Sequence, residues 1–350
     1  MRRADCECCQ RAAPGAPYTK ETPTMFDARK CLAAVCAIWF GAATAQASAN
    51  TYPERPVRLI VPFPAGSSID TAARVLARNL TPALGQAIVV ENKAGAGGTV
   101  GAVAAAHAAP DGYTIFLGSV AQLIGKVAQP SVAFDPLKDF APVSLTYRSA
   151  AIVTVSTQAP VQSVADLVRW AKANPGALNY YSGGVGTAAH LLGATLSTKE
   201  DVKTVHIPLR AVTDMLPQLG DKTPHFACFI APAVRPYVES RRLRALAVSS
   251  RERLPQLPDV PTLYEVFKDE DFVQESWLGI WAPAGTPKPV MQKLFTATER
   301  AVNSADFRDA MRRQDQQAIA SSSPEAFASY MRAEYAKWER LANVAQLPRQ

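Results

Sequence analysis

The sequence predicts an α/β chain folded into two domains, on three observations. Short β-branched runs recur at regular intervals and alternate with stretches whose apolar residues repeat at helical spacing, the pattern of strands with helices between them. The chain has 350 residues, more than one hydrophobic core usually organises. Apolar residues make up 48% and charged residues only 19%, enough to build packed cores and too apolar for a disordered chain.

The elements follow in order. Residues 57–61 form a β-branched run that Pro62 and Pro64 terminate. A helix comes next, with Ile69, Ala72, Ala73, Leu76 and Leu80 on one face. Further strands are predicted at 86–90, 113–117, 151–155, 178–181, 226–230, 243–248 and 277–281. Helices are predicted at 164–174, stopped by Pro175 and Gly176, and at 188–197. Alternation of this kind predicts parallel sheets flanked by helices. The last helix is marked by Ser323 as N-cap, Pro324 at the first helical position and Glu325 in the first turn. Phe327, Tyr330, Met331, Glu334, Trp338 and Leu341 then recur at helical spacing, so one face of this helix must dock. There are no solenoid-period repeats and no low-complexity tracts.

The amino terminus reads as a targeting segment. From Met25 there is a basic stretch with Arg29 and Lys30, an apolar run from Cys31 to Ala43, and two overlapping small-x-small sites, Ala45–Ala47 and Ala47–Ala49. That is the organisation of a cleaved secretory signal, and it places the mature protein in the periplasm. Met25 is the expected start, with residues 1–24 an over-extension. The apolar run is too short to span a bilayer, which needs about 20 residues. Five of the six cysteines precede the cut, so only Cys228 remains and no internal disulfide can form. Set among Phe226, Ala227, Phe229 and Ile230, Cys228 is expected to fill the core. Val35 before Cys36 argues against a lipid anchor.

The formal charge is +7, and +5 after removal of residues 1–49, which hold six basic and four acidic residues. It is thinly spread. Its densest clusters, at Arg241, Arg242 and Arg244 and at Arg312 and Arg313, lack interleaved aromatics and read as solvated surface, so no nucleic acid is expected. No nucleophile elbow, zinc-protease or Cys-x-x-Cys motif occurs after the cut, and the four histidines, His107, His190, His206 and His225, have no paired acids in sequence. No catalysis, metal or cofactor is expected. The glycine cluster at Gly95, Gly97, Gly98 and Gly101 misses dinucleotide-binding spacing and reads as a helix-starting turn.

Two loops are built to leave backbone N–H groups at a helix start. The first runs from Pro62 to Asp70 and contains Phe63, Ala65, Gly66, Ser67 and Ser68. Ser67 and Asp70 have capping-box spacing, so a helix begins near Ser68. Its first N–H groups and the serine hydroxyls can converge on an anion, helped by roughly half a positive charge at the helix end. Plain capping of a surface helix accounts equally well for this loop taken alone. The second loop, from Tyr181 to His190, repeats the logic with Ser182, Gly184, Gly186 and Thr187 as N-cap. It lacks the lysine of a phosphate-binding loop. His190 could point toward the loop or into solvent, and it has no metal-ligand partner one turn on.

These loops, with 60–66, 90–98, 110–114, 140–144, 173–176, 179–190, 276–289 and 323–338 in this order behind a signal, resemble the Bug (TctC-like) family, the extracytoplasmic solute receptors of tripartite tricarboxylate transporters. The resemblance implies a type II periplasmic-binding-protein fold, two α/β domains joined by two crossover segments around a ligand cleft. It places the crossovers at 143–150 and 273–279, one domain at 51–148 with 274–350, and the other at 149–273. It further implies that both loops grip a ligand carboxylate, through Phe63, Ala65, Gly66, Ser67, Ser68 and Asp70, Ser119 after the third strand, and Ser182, Gly184, Gly186, Thr187 and His190. The chain departs from the family pattern at Ser67, at Pro208–Arg210 and at Leu219–His225, so the ligand's identity does not carry over.

The expected function is capture of a small carboxylate by a monomer that hands it to a membrane transporter. A receptor for a sensor-kinase ectodomain, and a secreted hydrolase using Ser67 or Ser119, are the alternatives.

Overall fold

The computed structural model describes residues 51–345 except 186, 210, 211, 220 and 221. The targeting segment and Gly186 therefore lie outside the described residues. The strands β1 (Val57–Val61), β2 (Ile88–Asn92), β3 (Thr114–Ser119), β4 (Phe140–Ser156), β5 (Leu178–Ser182), β6 (Thr204–Pro208), β7 (Phe226–Ile230) and β9 (Glu275–Pro283) join in the order β2-β1-β3-β9-β4-β7-β5-β6. Two further strands, β8 (Leu243–Val248) and β10 (Gln317–Ala318), pair with β4.

Each end of this order is parallel, β1 between β2 and β3 and β5 between β6 and β7, as the alternation predicts. The centre is not. β9 runs antiparallel to both β3 and β4, and β4 runs antiparallel to β7 and β8. The two central strands lie side by side, with Arg148 opposite Trp277, Ser149 opposite Ser276 and Ala150 opposite Glu275. β4 is also far longer than the predicted run at 151–155, because Pro142, Ser144, Thr146 and Arg148 interrupt its apolar pattern. Its register shifts beside Pro142, where the missing N–H removes a rung of the ladder.

The helices cover the sheet by burying their predicted faces. Helix α1 (Ser68–Leu84) buries Ala72, Ala73, Leu76 and Leu80 against Leu59 and Val61 of β1 and Ile115 and Leu117 of β3. Helix α2 (Thr99–Ala106) begins at the glycine turn, as expected. Helix α3 (Val120–Ala128) follows β3, and α4 (Val164–Ala173) and α5 (Ala188–Lys199) flank the β5 side. The remaining helices are α6 (Ala231–Glu239), α7 (Leu263–Phe267), α8 (Lys288–Asn303), α9 (Ala305–Arg313) and α10 (Pro324–Val344). α10 starts at Ser323 as predicted and sinks Phe327, Met331, Trp338 and Leu341 into one cluster with Phe116, Trp277 and Trp281. Each such side chain is worth about 1.5–3 kcal/mol of burial, which secures this helix.

Cys228 is wholly buried and unpaired in β7, and burial pushes its thiol pKa up, consistent with a core filler. Among the described residues no helix is long and apolar enough to cross a membrane.

Candidate ligand-binding loops

β1 ends at Val61 and the chain turns through Gly66, whose φ of +80° is one that residues carrying a Cβ rarely adopt. The Ser67 hydroxyl accepts the Asp70 N–H at 3.2 Å, capping α1 from Ser68 as predicted. The second half of the capping box takes a different form. The Asp70 carboxylate reaches past the cap and accepts the Gly66 N–H at 2.9 Å. It also accepts Arg74 Nε at 3.0 Å and Asn92 Nδ2 at 2.9 Å, while Asn92 Nδ2 donates to the Phe63 carbonyl at 3.1 Å. Burial raises the Asp70 pKa, but the bonds from Arg74, Gly66 and Asn92 outweigh it and hold the carboxyl below its ordinary value. The Gly66 N–H is thus engaged within the loop, whereas those of Ser68 and Ile69 have no internal partner among the described residues. Ala65 and Gly66 are exposed, Phe63, Ser67 and Ser68 half-buried, and Asp70 buried.

The second loop leaves β5 at the buried Ser182. Gly184 has φ +130°, its N–H reaches the Ser182 hydroxyl at 3.3 Å, and its carbonyl accepts the Thr187 hydroxyl at 2.8 Å. Thr187 caps α5 as predicted, its Oγ1 accepting the His190 N–H at 3.2 Å. Val185 stands 64% exposed at the tip.

His190 is not in solvent. It is 7% exposed, and its ring stacks on His206 with centroids 3.9 Å apart. Tyr180 stacks on His206 at 4.8 Å and on Phe226 at 5.4 Å, continuing the column. Burial, and then the neighbouring imidazole, lower the His190 pKa to about 4; burial lowers that of His206 to about 4. Both rings are neutral at pH 7. His206 Nε2 lies 2.8 Å from the Ser182 hydroxyl, so this ring holds the start of the loop. That spacing suits a nucleophile and its base, but a ring with a pKa near 4 is a weak base at neutral pH. Sequence reading missed His206 as a loop residue. The parallel register that puts it opposite Tyr180 is a long-range fact with no local signal.

Ser119 closes β3 and caps α3. Its hydroxyl is buried, donates to Gln122 Oε1 at 2.8 Å and accepts the Ala121 N–H at 3.2 Å, in a full capping box. Neither Ser119 nor Ser67 has a histidine among its hydrogen-bond partners.

The strand ends converge on the central pair. Ser119 at the end of β3 faces Leu278, and Ile230 at the end of β7 faces Ala151. The loop strands β1 and β5 run parallel to these two, so both loops emerge toward the stretch around 148–151 and 275–278. One apolar cluster bridges them: it contains Ile60 of β1, Val120 and Leu123 of α3, and Leu191 of α5, with Ala188 packed against it. Helices α3 and α5 touch directly. Two surface grooves lie elsewhere, one of about 380 Å³ beside Leu84 and Lys293 and one of about 440 Å³ beside Thr157 and Arg241, and neither includes a loop residue. Among the described residues no three His, Cys, Asp or Glu side chains gather closely enough to hold a metal.

The Tripartite tricarboxylate transporter family receptor profile matches residues 72–347, beginning just after the first loop. Protein BugT of Bordetella pertussis (strain Tohama I) is 37% identical over 284 residues, covering 78% of this chain and 84% of that protein. The structure of R. palustris Rpa4515 with adipate is 30% identical with a TM-score of 0.73, over 84% of this chain and 98% of that one. The structure of MatC from Rhodopseudomonas palustris with bound malate is 29% identical with a TM-score of 0.70, over 83% of this chain and 99% of that one. The two-domain periplasmic-binding fold is therefore established, and the chain belongs to the tripartite tricarboxylate transporter receptor family, with a Bug protein among its relatives.

Proposed function

We propose that this chain is a periplasmic, non-catalytic receptor that captures a small carboxylate between its two loops and presents it to a membrane transporter. The supporting observation is the apolar cluster that seats Ile60, Val120 and Leu191 together, because it brings the start of α5 beside the strand ends that carry the first loop and Ser119. In this reading one domain comprises 51–148 with 274–350 and the other 149–273. The N–H groups at the starts of α1 and α5 face one anion, each helix end adding roughly half a positive charge. Phe63, Ala65, Gly66, Ser67 and Ser68 form the first wall, and Gly184 and Thr187 the second, with the buried Ser182 bracing it from beneath. Asp70, Ser119 and His190 act from behind as supports, since their polar or ring atoms are engaged within the protein. Adipate and malate on two structural relatives support a carboxylate ligand. A leader starting at Met25 and cut near Ala49 would deliver the chain to the periplasm.

Micromolar affinity corresponds to about 8 kcal/mol, within reach of several N–H bonds to a charged oxygen after ordering costs. Ligand closes the receptor only through its preference for the closed state. Isothermal titration with adipate, malate, citrate, aromatic acids and amino acids is expected to reveal at least one micromolar binder. No heat from any of them, with folded protein that carries no ligand by native mass spectrometry, would reject the proposal.

A further inference from the structure

We infer that Asn92, at the end of β2, is a positioning residue that holds the first loop in its binding shape, an inference that rests on the function proposed above. Asn92 lies opposite Val61 in the parallel register, at the point where the loop leaves β1. Its side-chain amide donates to two groups: the Phe63 carbonyl at 3.1 Å and Asp70 Oδ1 at 2.9 Å. Its Oδ1 accepts Arg74 Nη2 at 3.2 Å, and Arg74 Nε donates to Asp70 Oδ2 at 3.0 Å. Asp70 Oδ2 also accepts the Gly66 N–H at 2.9 Å. The result is a closed ring of bonds, Asn92 to Asp70 to Arg74 and back, with the loop tied in at Phe63 and Gly66.

Only asparagine fits this place. The ring needs two donors and one acceptor on a short side chain. Aspartate has no donor, and glutamine carries its amide one methylene further out. The arrangement has two effects on the loop. It draws the Phe63 carbonyl and Gly66 N–H inward, which leaves the Ser68 and Ile69 N–H groups as the ones that can meet a ligand. It also surrounds the buried Asp70 charge with donors, so that a carboxylate beside the helix start does not meet a bare like charge. Asn92 itself touches no ligand and acts through the loop it braces.

The variants Asn92→Asp and Asn92→Ala test it, with adipate and malate as probes. In Asn92→Asp a second carboxylate faces Asp70. The other charged groups at this position are Arg74, bonded to it, and Glu91 and Lys93, which pair with each other at 2.9 Å while Glu91 also meets Arg58 at 3.4 Å. At pH 7.5 Asn92→Asp is expected to weaken probe binding at least tenfold and to speed exchange of the Gly66 amide at least tenfold, with core amides unchanged. Like charges raise the pKa of one member of such a pair, so at pH 5.5 a shared proton restores one donor. The deficit of Asn92→Asp relative to wild type then shrinks, while that of Asn92→Ala does not. Wild-type affinity and Gly66 exchange in both variants would overturn the inference, as would faster exchange spread over the whole core. If wild-type protein binds neither probe, the functional proposal fails for these ligands, and Gly66 exchange still decides the role of Asn92. If Asn92→Asp does not fold, Gly66 exchange and affinity in Asn92→Ala carry the decision.

Discussion

The imidazoles of His190 and His206 lie face to face, 3.9 Å between centroids and 21° between planes, behind the second loop. They come from a helix start and an edge strand, and His206 continues the contact to Ser182 through a 2.8 Å hydrogen bond. Neutral rings can stack this closely; two imidazolium rings would repel.

Acid stability should report this pair. Both folded-state pKa values fall to about 4, below the ordinary 6.5. Between those values the unfolded chain binds more protons than the folded one, so stability is full above pH 6.5 and declines as pH falls toward 4. The expected loss is about 3 kcal/mol for the pair, reduced from the full shift because His206 is only half-buried. Urea unfolding at pH 7.5 and 4.5 measures it, and His206→Phe should flatten the dependence. An equally steep slope in that variant would assign the effect elsewhere.

Two glycines are predicted to matter for binding more than for folding. A Cβ at Gly66 meets nothing within 4 Å and one at Gly184 only Thr187 Cγ2 at 4.0 Å, but both have positive φ, +80° and +130°. Gly66→Val and Gly184→Val should each reshape a loop, lowering affinity at least tenfold with a melting-temperature change of about 5 °C or less, since positive-φ strain costs about 1–3 kcal/mol. Titration calorimetry beside thermal melts separates the two effects.

Gly118 and Gly125 should behave oppositely on conversion to alanine. At Gly118 the new Cβ would sit 2.2 Å from Trp281 Cε2, in a ring packed against Phe116 and Phe140. Overpacking of a rigid core is expected to cost about 3 kcal/mol. At Gly125, inside α3, the Cβ meets nothing within 4 Å, so Gly125→Ala should stabilise by about 0.5–1 kcal/mol through helix propensity. Denaturant midpoints of the two variants make the comparison.

Glu334 is buried in α10 and accepts the indole N–H of Trp277 at 2.8 Å and of Trp338 at 2.9 Å, with Lys337 paired to its other oxygen. Glu334→Leu would leave two buried donors unpaired, a loss of about 3 kcal/mol, whereas Glu334→Gln keeps an acceptor and should lose about 1 kcal/mol. Tryptophan fluorescence during unfolding reads both stability and the indole environment.

What the sequence disclosed was local. Ser67, Thr187 and Ser323 were each legible as helix caps, because a cap is a contact within three residues. The glycine turn before α2 was legible for the same reason. Strand direction was not: the antiparallel centre depends on β4 and β9 returning past one another, and Pro142 and the polar residues of β4 hid half of that strand. The braces of the loops were equally hidden. Asn92 meets Asp70 and His206 meets Ser182 only through strand registers that no short window encodes. Asp70 was legible as the acidic partner of the Ser67 cap, but its work for Gly66 in place of a reciprocal bond to the cap became visible only in three dimensions.

Closure of both loops on one carboxylate would shorten the distance across them. Thr71 on α1 and Val205 on β6 are exposed, and the sole other cysteine within 51–345, Cys228, is buried, so Thr71→Cys/Val205→Cys accepts two spin labels cleanly. Electron–electron double resonance is expected to show a shorter, narrower distance distribution when saturating adipate or malate is added. An unchanged distribution, recorded at concentrations where calorimetry shows the site filled, would contradict it.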